Sequence, residues 1–220
     1  MKRQPEPELM TDEVQALAYA KADFSEPHKR FVDLFKVHFA ATAISGDVLD
    51  LGCGTADVTW RFAETFSDTH VVGVDGSTAM LKFGHDAVTE RKLTDRVNLV
   101  QGYLPGATLP RERFNYVISN SLLHHLADPA LLWTLVKSHT KSGGGIFVMD
   151  LIRPDSETDA QRIVKTYSGD EHEVLQKDFY LSLLAAYTPA EIQAQLEAAN
   201  LTHLNVQAVS DRHVVIAGRL

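Results

Sequence analysis

Five short runs rich in β-branched and other apolar residues recur along the chain: "DVLDLG" (47–52), "HVVGVDG" (70–76), "VNLVQG" (97–102), "FNYVISN" (114–120) and "GGIFVMDL" (144–151). Apolar runs of this length, closed by Gly, Asn or Asp, read as strands. Helical patterns separate them. "TADVTWRFAETF" spaces Val58, Phe62 and Phe66 one helical turn apart, "STAMLKFGHDA" opens on Ser77 as an N-cap, and "DPALLWTLVKSHT" carries Leu131, Leu132, Leu135 and Val136 on one face. Strands that alternate with helices cannot pair as hairpins, so the pattern predicts an α/β fold with a parallel sheet covered on both faces.

The flanks are patterned differently. Upstream, "PHKRFVDLFKVHFA" places Phe31, Leu34, Phe35 and His38 on one helical stripe, with Pro27 near the first helical position, after a polar start that reads as frayed to about residue 10. Downstream, the polar stretch "RPDSETDAQRIVKTYSGDEHE" and the helical "VLQKDFYLSLLAAY" read together as an insertion. "TPAEIQAQLEAAN" then begins with Thr188 and Glu191 in capping-box positions and stops at Asn200, and "LTHLNVQAVS" with "RHVVIAGRL" forms a last hairpin. No linker or repeat interrupts this order. The expectation is one domain: an N-terminal helical cap segment (1–45), a core (46–153), a helical insertion (154–187) and a C-terminal helix and hairpin (188–220).

Composition narrows the setting. A net charge of −8 works against binding a phosphate backbone, so no nucleic-acid partner is expected. No apolar stretch approaches the roughly 18 residues of a membrane span, and the start "MKRQPEPELMTDE" lacks a secretory core, so neither membrane insertion nor export is expected. The single Cys53 excludes an internal disulfide. A cytoplasmic location follows as the default expectation.

The first strand runs into "VLDLGCGTAD" (48–57). Gly52 and Gly54 sit between a strand and a helix, where the missing side chains let a ligand lie against the backbone at the helix N-terminus. The second strand ends at Asp75, placed to accept hydrogen bonds from ribose hydroxyls. A nicotinamide dinucleotide would fit this much. Its fingerprint, however, has a third glycine and receives a pyrophosphate, whereas here Asp57 stands at that position and Asp50 ends the strand. Two carboxylates repel a diphosphate and attract a cation. S-adenosyl-L-methionine, a nucleoside with an ammonium and a sulfonium, meets both conditions.

"VLDLGCGTAD", "VVGVDGS", "FNYVISNSLLHHLADP" and "GGGIFVMDLIRP" resemble successive motifs of the class I S-adenosylmethionine-dependent methyltransferases, over roughly residues 45–153. The likeness is strongest to the small-molecule branch that includes the ubiquinone/menaquinone-biosynthesis enzymes, whose fourth strand often continues into a segment like His124-His125-Leu126. The resemblance implies a Rossmann-like seven-stranded sheet with an antiparallel last strand, and N-terminal and inserted helices capping the site. It also implies that Asp50, Gly52 and Gly54 face the cofactor's amino-acid part, Asp75 holds the ribose, Gly76, Ser77 and Met80 border the adenosine, and Asn120 and Ser121 flank the sulfonium. Gly102, Tyr103 and Leu104 follow the third strand, where relatives commonly carry an acidic residue that contacts the adenine; Tyr103 departs from that pattern. Tyr19 and Phe24 fall in the segment that folds over the cofactor in such enzymes.

Methyl transfer to a small-molecule acceptor is an in-line displacement, and the protein mainly orients the partners and excludes water. A base is needed only where the acceptor must lose a proton, and His124, His125 and His28 are the candidates. Each has a plainer reading as a structural or solvated residue. Arg153, past the fifth strand, is placed to clamp an acidic substrate or to pair with Asp155. Tyr180 and Tyr187 would line the acceptor site or pack the cap, as would Phe24. "GDEHE" sets His172 among carboxylates on a polar loop, which reads as solvated charge, so no metal is expected. Two other functions fit the turn: a cofactor-binding regulator without catalysis and, less well, an NAD-dependent oxidoreductase.

Overall fold

The computed structural model describes residues 1–6, 17, 19 and 22–220. Seven strands form one sheet: β1 (Gly46–Leu51), β2 (Thr69–Asp75), β3 (Val97–Gln101), β4 (Phe114–Asn120), β5 (Thr140–Leu151), β6 (Asn205–Ala208) and β7 (His213–Arg219), in the order β3-β2-β1-β4-β5-β7-β6. β1 to β5 pair in parallel, and β7 runs antiparallel between β5 and β6. The Rossmann-like sheet and its reversed strand are as the sequence reading expects, including the final β6–β7 hairpin.

Seven described helices cover the sheet: α1 (Ser25–His38), α2 (Asp57–Thr65), α3 (Thr78–Glu90), α4 (Ala130–His139), α5 (Glu157–Ser168), α6 (Glu173–Ala185) and α7 (Pro189–Ala198). The strand period of two sends alternate residues to opposite faces. In β1, Val48 packs with α1, α2 and α3, while Leu49 and Leu51 pack with α4 and α7. Phe35 anchors the first layer, its ring within 4.7–5.5 Å of those of Phe39, Phe62, Phe66, Tyr116 and Phe147. Of the stripe expected on α1, Phe31 and Phe35 are buried, whereas His38 is exposed beyond the edge of that contact.

The inserted segment is helical as expected, and one expectation at the chain start needs correction. The polar stretch after β5 contains a whole helix, α5, whose N-cap Ser156 accepts from the Asp159 backbone N–H at 3.1 Å. Its apolar stripe is short, Ala160, Ile163 and Val164, because it packs in a small satellite cluster with α6, Leu151 of β5 and Met1. The first six residues are docked, not frayed: the Met1 ammonium donates to Asp155 O, the Gln4 N–H to Leu184 O, and the Arg3 guanidinium to Ala185 O and His124 O. Residues 7–10 of that expectation lie outside the described residues. The capping box of α7 forms as read, with Thr188 and Glu191 bonding each other's backbone N–H. Among the described residues no helix is long and apolar enough to cross a membrane.

Candidate active site

In a parallel sheet, a crevice opens where neighbouring strands send their chains to opposite faces. Here that point lies between β1 and β4. A first cavity of about 170 Å³ occupies it, lined by Asp50, Gly52, Gly54, Asp75, Gly76, Ser77, Met80, Gly102, Tyr103, Leu104, Asn120, Ser121 and Tyr19. All thirteen positions carried over from the motifs therefore converge on one space. Gly52 has φ +72°, and a Cβ there would meet Leu122 Cδ1 at 2.9 Å, so the turn requires glycine both for its backbone and for its neighbour. Ser77 caps α3, accepting from Met80 N–H at 3.2 Å. Tyr103 stands 59% exposed at the rim.

The carboxylates are not equivalent. Asp75 accepts from the Gly54 N–H at 2.8 Å and the Ser77 N–H at 2.7 Å, which clamps the turn to the end of β2. Asp50 is 1% exposed and accepts one hydrogen bond, from the Thr59 hydroxyl at 2.6 Å. Burial pushes its carboxyl up to about 7, against the Thr59 hydrogen bond and with a small contribution from Asp75. Asp57 is already paired, with His28 Nδ1 at 2.5 Å and Arg61 Nε at 2.8 Å. Burial alone would raise its carboxyl, yet these partners hold it below the usual carboxylate range. Of the two acids read as cation-seeking, Asp57 has its cation within the protein, whereas Asp50 has no ion-pair partner among the described residues.

A second cavity, of about 310 Å³, adjoins the first and shares Tyr19, His28, Asn120, Ser121 and His125 with it. Its other walls come from α1 and the inserted helices, with Phe24, Pro27, Leu175 and Phe179 as apolar surface. Ser121, at the junction, holds φ +57°, an uncommon conformation for a residue with a side chain. The Tyr19 hydroxyl is pushed up to about 12, by burial first and then by Asp57 and Asp75, so it stays a neutral donor. His124 is 2% exposed, faces only the second cavity, and shares a proton with Asp150 Oδ1 across 2.6 Å. Its pKa is raised: burial opposes this, and Asp150 and then Glu6 outweigh it.

Three substrate candidates lie elsewhere. Arg153 lines neither cavity; it donates to Met1 O, Ala186 O and Glu191 Oε1, joining the chain start to α7. Its ion-pair partner is Glu191, not Asp155. Tyr187 is buried under the Arg3 guanidinium, 4.1 Å from its ring centroid, and Tyr180 packs on the α5–α6 cluster. His172 serves as the N-cap of α6, accepting from Val174 N–H at 3.2 Å. Sequence reasoning missed Glu6, Asp150, Asp178, Arg212 and His213, which border the second cavity or its histidines. Asp150 had a readable signal, as a carboxylate inside an apolar strand; Glu6 had none.

The strand order, the glycine turn and the carboxylate at the end of β2 define a methyltransferase-type Rossmann-like scaffold. A methyltransferase domain family matches residues 45–200, and the chain belongs to that family. A demethylmenaquinone methyltransferase of Lactiplantibacillus plantarum is 32% identical over 129 residues, 58% of this chain and 53% of that one. Protein arginine N-methyltransferase 1 of Schizosaccharomyces pombe is 31% identical over 129 residues, 59% of this chain and 34% of that one. The chain thus spans about half, or less, of the length of these relatives. In fold it is similar to a putative S-adenosyl-L-methionine-dependent methyltransferase of Methanococcus maripaludis, with a TM-score of 0.70 at 16% identity, over 98% of this chain and 97% of that one.

Proposed function

We propose that the chain is an S-adenosylmethionine-dependent methyltransferase that holds the cofactor in the first cavity and a small-molecule acceptor in the second. The observation that carries this is the junction: among the described residues the two cavities share Tyr19, His28, Asn120, Ser121 and His125, so ligands in each would meet there. The residues fit the cofactor on a structural ground as well. A buried Asp50 carboxyl that resists ionisation gains a counter-ion when a cationic amino-acid end lies beside it. When bound, the cofactor supplies an electrophilic methyl group on a sulfonium.

The chain's own residues then do three things. Asp75 and the Gly52–Gly54 turn orient the nucleoside, Asn120 and Ser121 border the transfer point, and Phe24, Pro27, Leu175 and Phe179 exclude water from the acceptor. Where the acceptor must lose a proton, His28 is the base. Its Nδ1 is tied to Asp57, which leaves Nε2 as the proton-accepting nitrogen. A volume of about 310 Å³ is that of a small-molecule pocket. Demethylmenaquinone methylation by one relative supports a flat, apolar acceptor, and arginine methylation by another keeps a nitrogen acceptor as the second reading. Incubation with labelled S-adenosylmethionine and a metabolite extract, followed by mass spectrometry of labelled products, tests the proposal. Tight S-adenosylhomocysteine binding without any labelled product would favour a non-catalytic cofactor binder instead.

A further inference from the structure

Glu6 joins two histidines of the second cavity's wall in a cluster that methyl transfer does not call for. Glu6 Oε1 lies 3.2 Å from His125 Nδ1 and 3.5 Å from His124 Nε2, and one potential ligand atom from each residue lies within 4.8 Å of the others. We propose that Glu6, His124 and His125 bind a divalent transition-metal ion. A tetrahedral ion with bonds of about 2.0–2.1 Å sets its ligand atoms roughly 3.3–3.4 Å apart, and the two measured edges bracket that spacing. The 3.5 Å edge is too long for a hydrogen bond.

The surroundings prepare the cluster for such an ion. Asp150 accepts from Leu123 N–H at 2.8 Å and Leu151 N–H at 2.7 Å as well as from His124 Nδ1. Asp150 thereby fixes the orientation of the His124 ring and turns Nε2 toward Glu6. His124 Nε2 faces Glu6 Oε1 at 3.5 Å, an ion pair when the imidazole is protonated, and a metal ion would take the place of that proton. Carboxylate-oriented imidazoles are the usual second layer of metal sites. Glu6 is held in place by the Ser182 hydroxyl, at 3.0 and 3.3 Å from its two oxygens. The Arg3 guanidinium supplies no ion pair to it, since its hydrogen bonds go to the carbonyls of Ala185, His124 and Leu126.

Charge points the same way. The anions Glu6 and Asp150 balance a dication with neutral imidazoles, and Asp178 and Glu171 add carboxylates to the cavity wall. Two imidazoles and one carboxylate suit zinc, iron, cobalt or nickel better than magnesium or calcium. Three protein ligands leave a coordination position open. With His124 and His125 both lining the second cavity, that position is available to an oxygen, nitrogen or sulfur atom of an acceptor. The expectation of no metal rests on the polar loop around His172, whereas this cluster joins the start of the chain to the segment after β4.

The inference rests on the cluster and is independent of the methyl-transfer reading. Tag-free full-length protein, stripped with a chelator, is titrated with Co²⁺ at pH 7.5, and visible d–d absorption is followed before Zn²⁺ is added as competitor. One saturable equivalent displaced by zinc is expected. Glu6→Gln and His125→Gln should each weaken binding at least tenfold, while His85→Ala, on the exposed face of α3, leaves it unchanged. Circular dichroism and S-adenosylhomocysteine titration of each variant establish that the fold and the first cavity persist. Absence of saturable binding, or binding retained by both ligand variants, would overturn the proposal and leave a proton as the cluster's cation. Failure of S-adenosylhomocysteine to bind would count against the methyltransferase reading alone.

Discussion

Replacing Asp50 with Asn removes one charge and almost no volume, and the amide oxygen can still accept the Thr59 hydroxyl. In the folded protein the Asp50 carboxyl lies at about 7, against an ordinary 3.8. At about 1.36 kcal/mol per tenfold, ionising it there costs about 4 kcal/mol more than in the unfolded chain. The sign follows from proton counting. Between those two values the folded state keeps a proton that the unfolded chain releases, so stability falls as pH rises through that window. Relative to Asp50→Asn, the wild type should lose about 1.4 kcal/mol per pH unit over this window. By pH 8 the difference reaches about 4 kcal/mol, or on the order of 10 °C in Tm for a chain of this size. Urea unfolding of both proteins from pH 4 to 8 without ligand measures it. Subtracting one curve from the other cancels buried groups that are not coupled to Asp50, Glu6 among them. A cationic ligand reverses the balance, so wild-type affinity for S-adenosylmethionine should fall by up to about tenfold per unit below pH 7, and the variant should bind weakly at all pH values. Parallel stability curves would refute the reasoning, because Asp50 would then carry no burial penalty for a ligand to relieve.

Asp75→Ala should weaken S-adenosylhomocysteine binding at least tenfold by calorimetry, since it removes both the expected ribose acceptor and the clamp on Gly54 and Ser77. Arg153→Met should lower stability by about 2 kcal/mol in chemical denaturation and leave cofactor affinity unchanged, because the guanidinium binds Ala186 O and Glu191 and touches neither cavity. His28→Gln should reduce kcat by about 100-fold for an acceptor that must be deprotonated and change KM little; an unchanged kcat with such an acceptor would remove His28 as the base. Phe179→Ala should raise KM for the acceptor severalfold while cofactor affinity holds, as Phe179 lines only the second cavity.

Much of the scaffold could be read along the chain because its causes are local. The apolar run of β1 and the helical stripe of α4 survive in any short window, and so do the Ser77 and Thr188 caps. The glycine turn and Asp75 were legible for the same reason, since strand, turn and helix are neighbours in sequence. Within the helical insertion the bounds of α5 were not legible, because it buries only Ala160, Ile163 and Val164 and most of its other residues are polar.

What the chain order alone determined, then, is an α/β sheet with a glycine-lined crevice at the end of its first strand, because backbone conformation and amphipathic period depend on near neighbours. Which ionisable groups meet was decided by tertiary structure. His28 and Asp57 are 29 residues apart, Arg153 and Glu191 are 38 apart, and Arg3 reaches His124 across 121. No spacing rule links such pairs. Packing brings them together, and burial then fixes their charge: it leaves Asp50 wanting a cation, gives Asp57 its own, and sets Glu6 against two histidines.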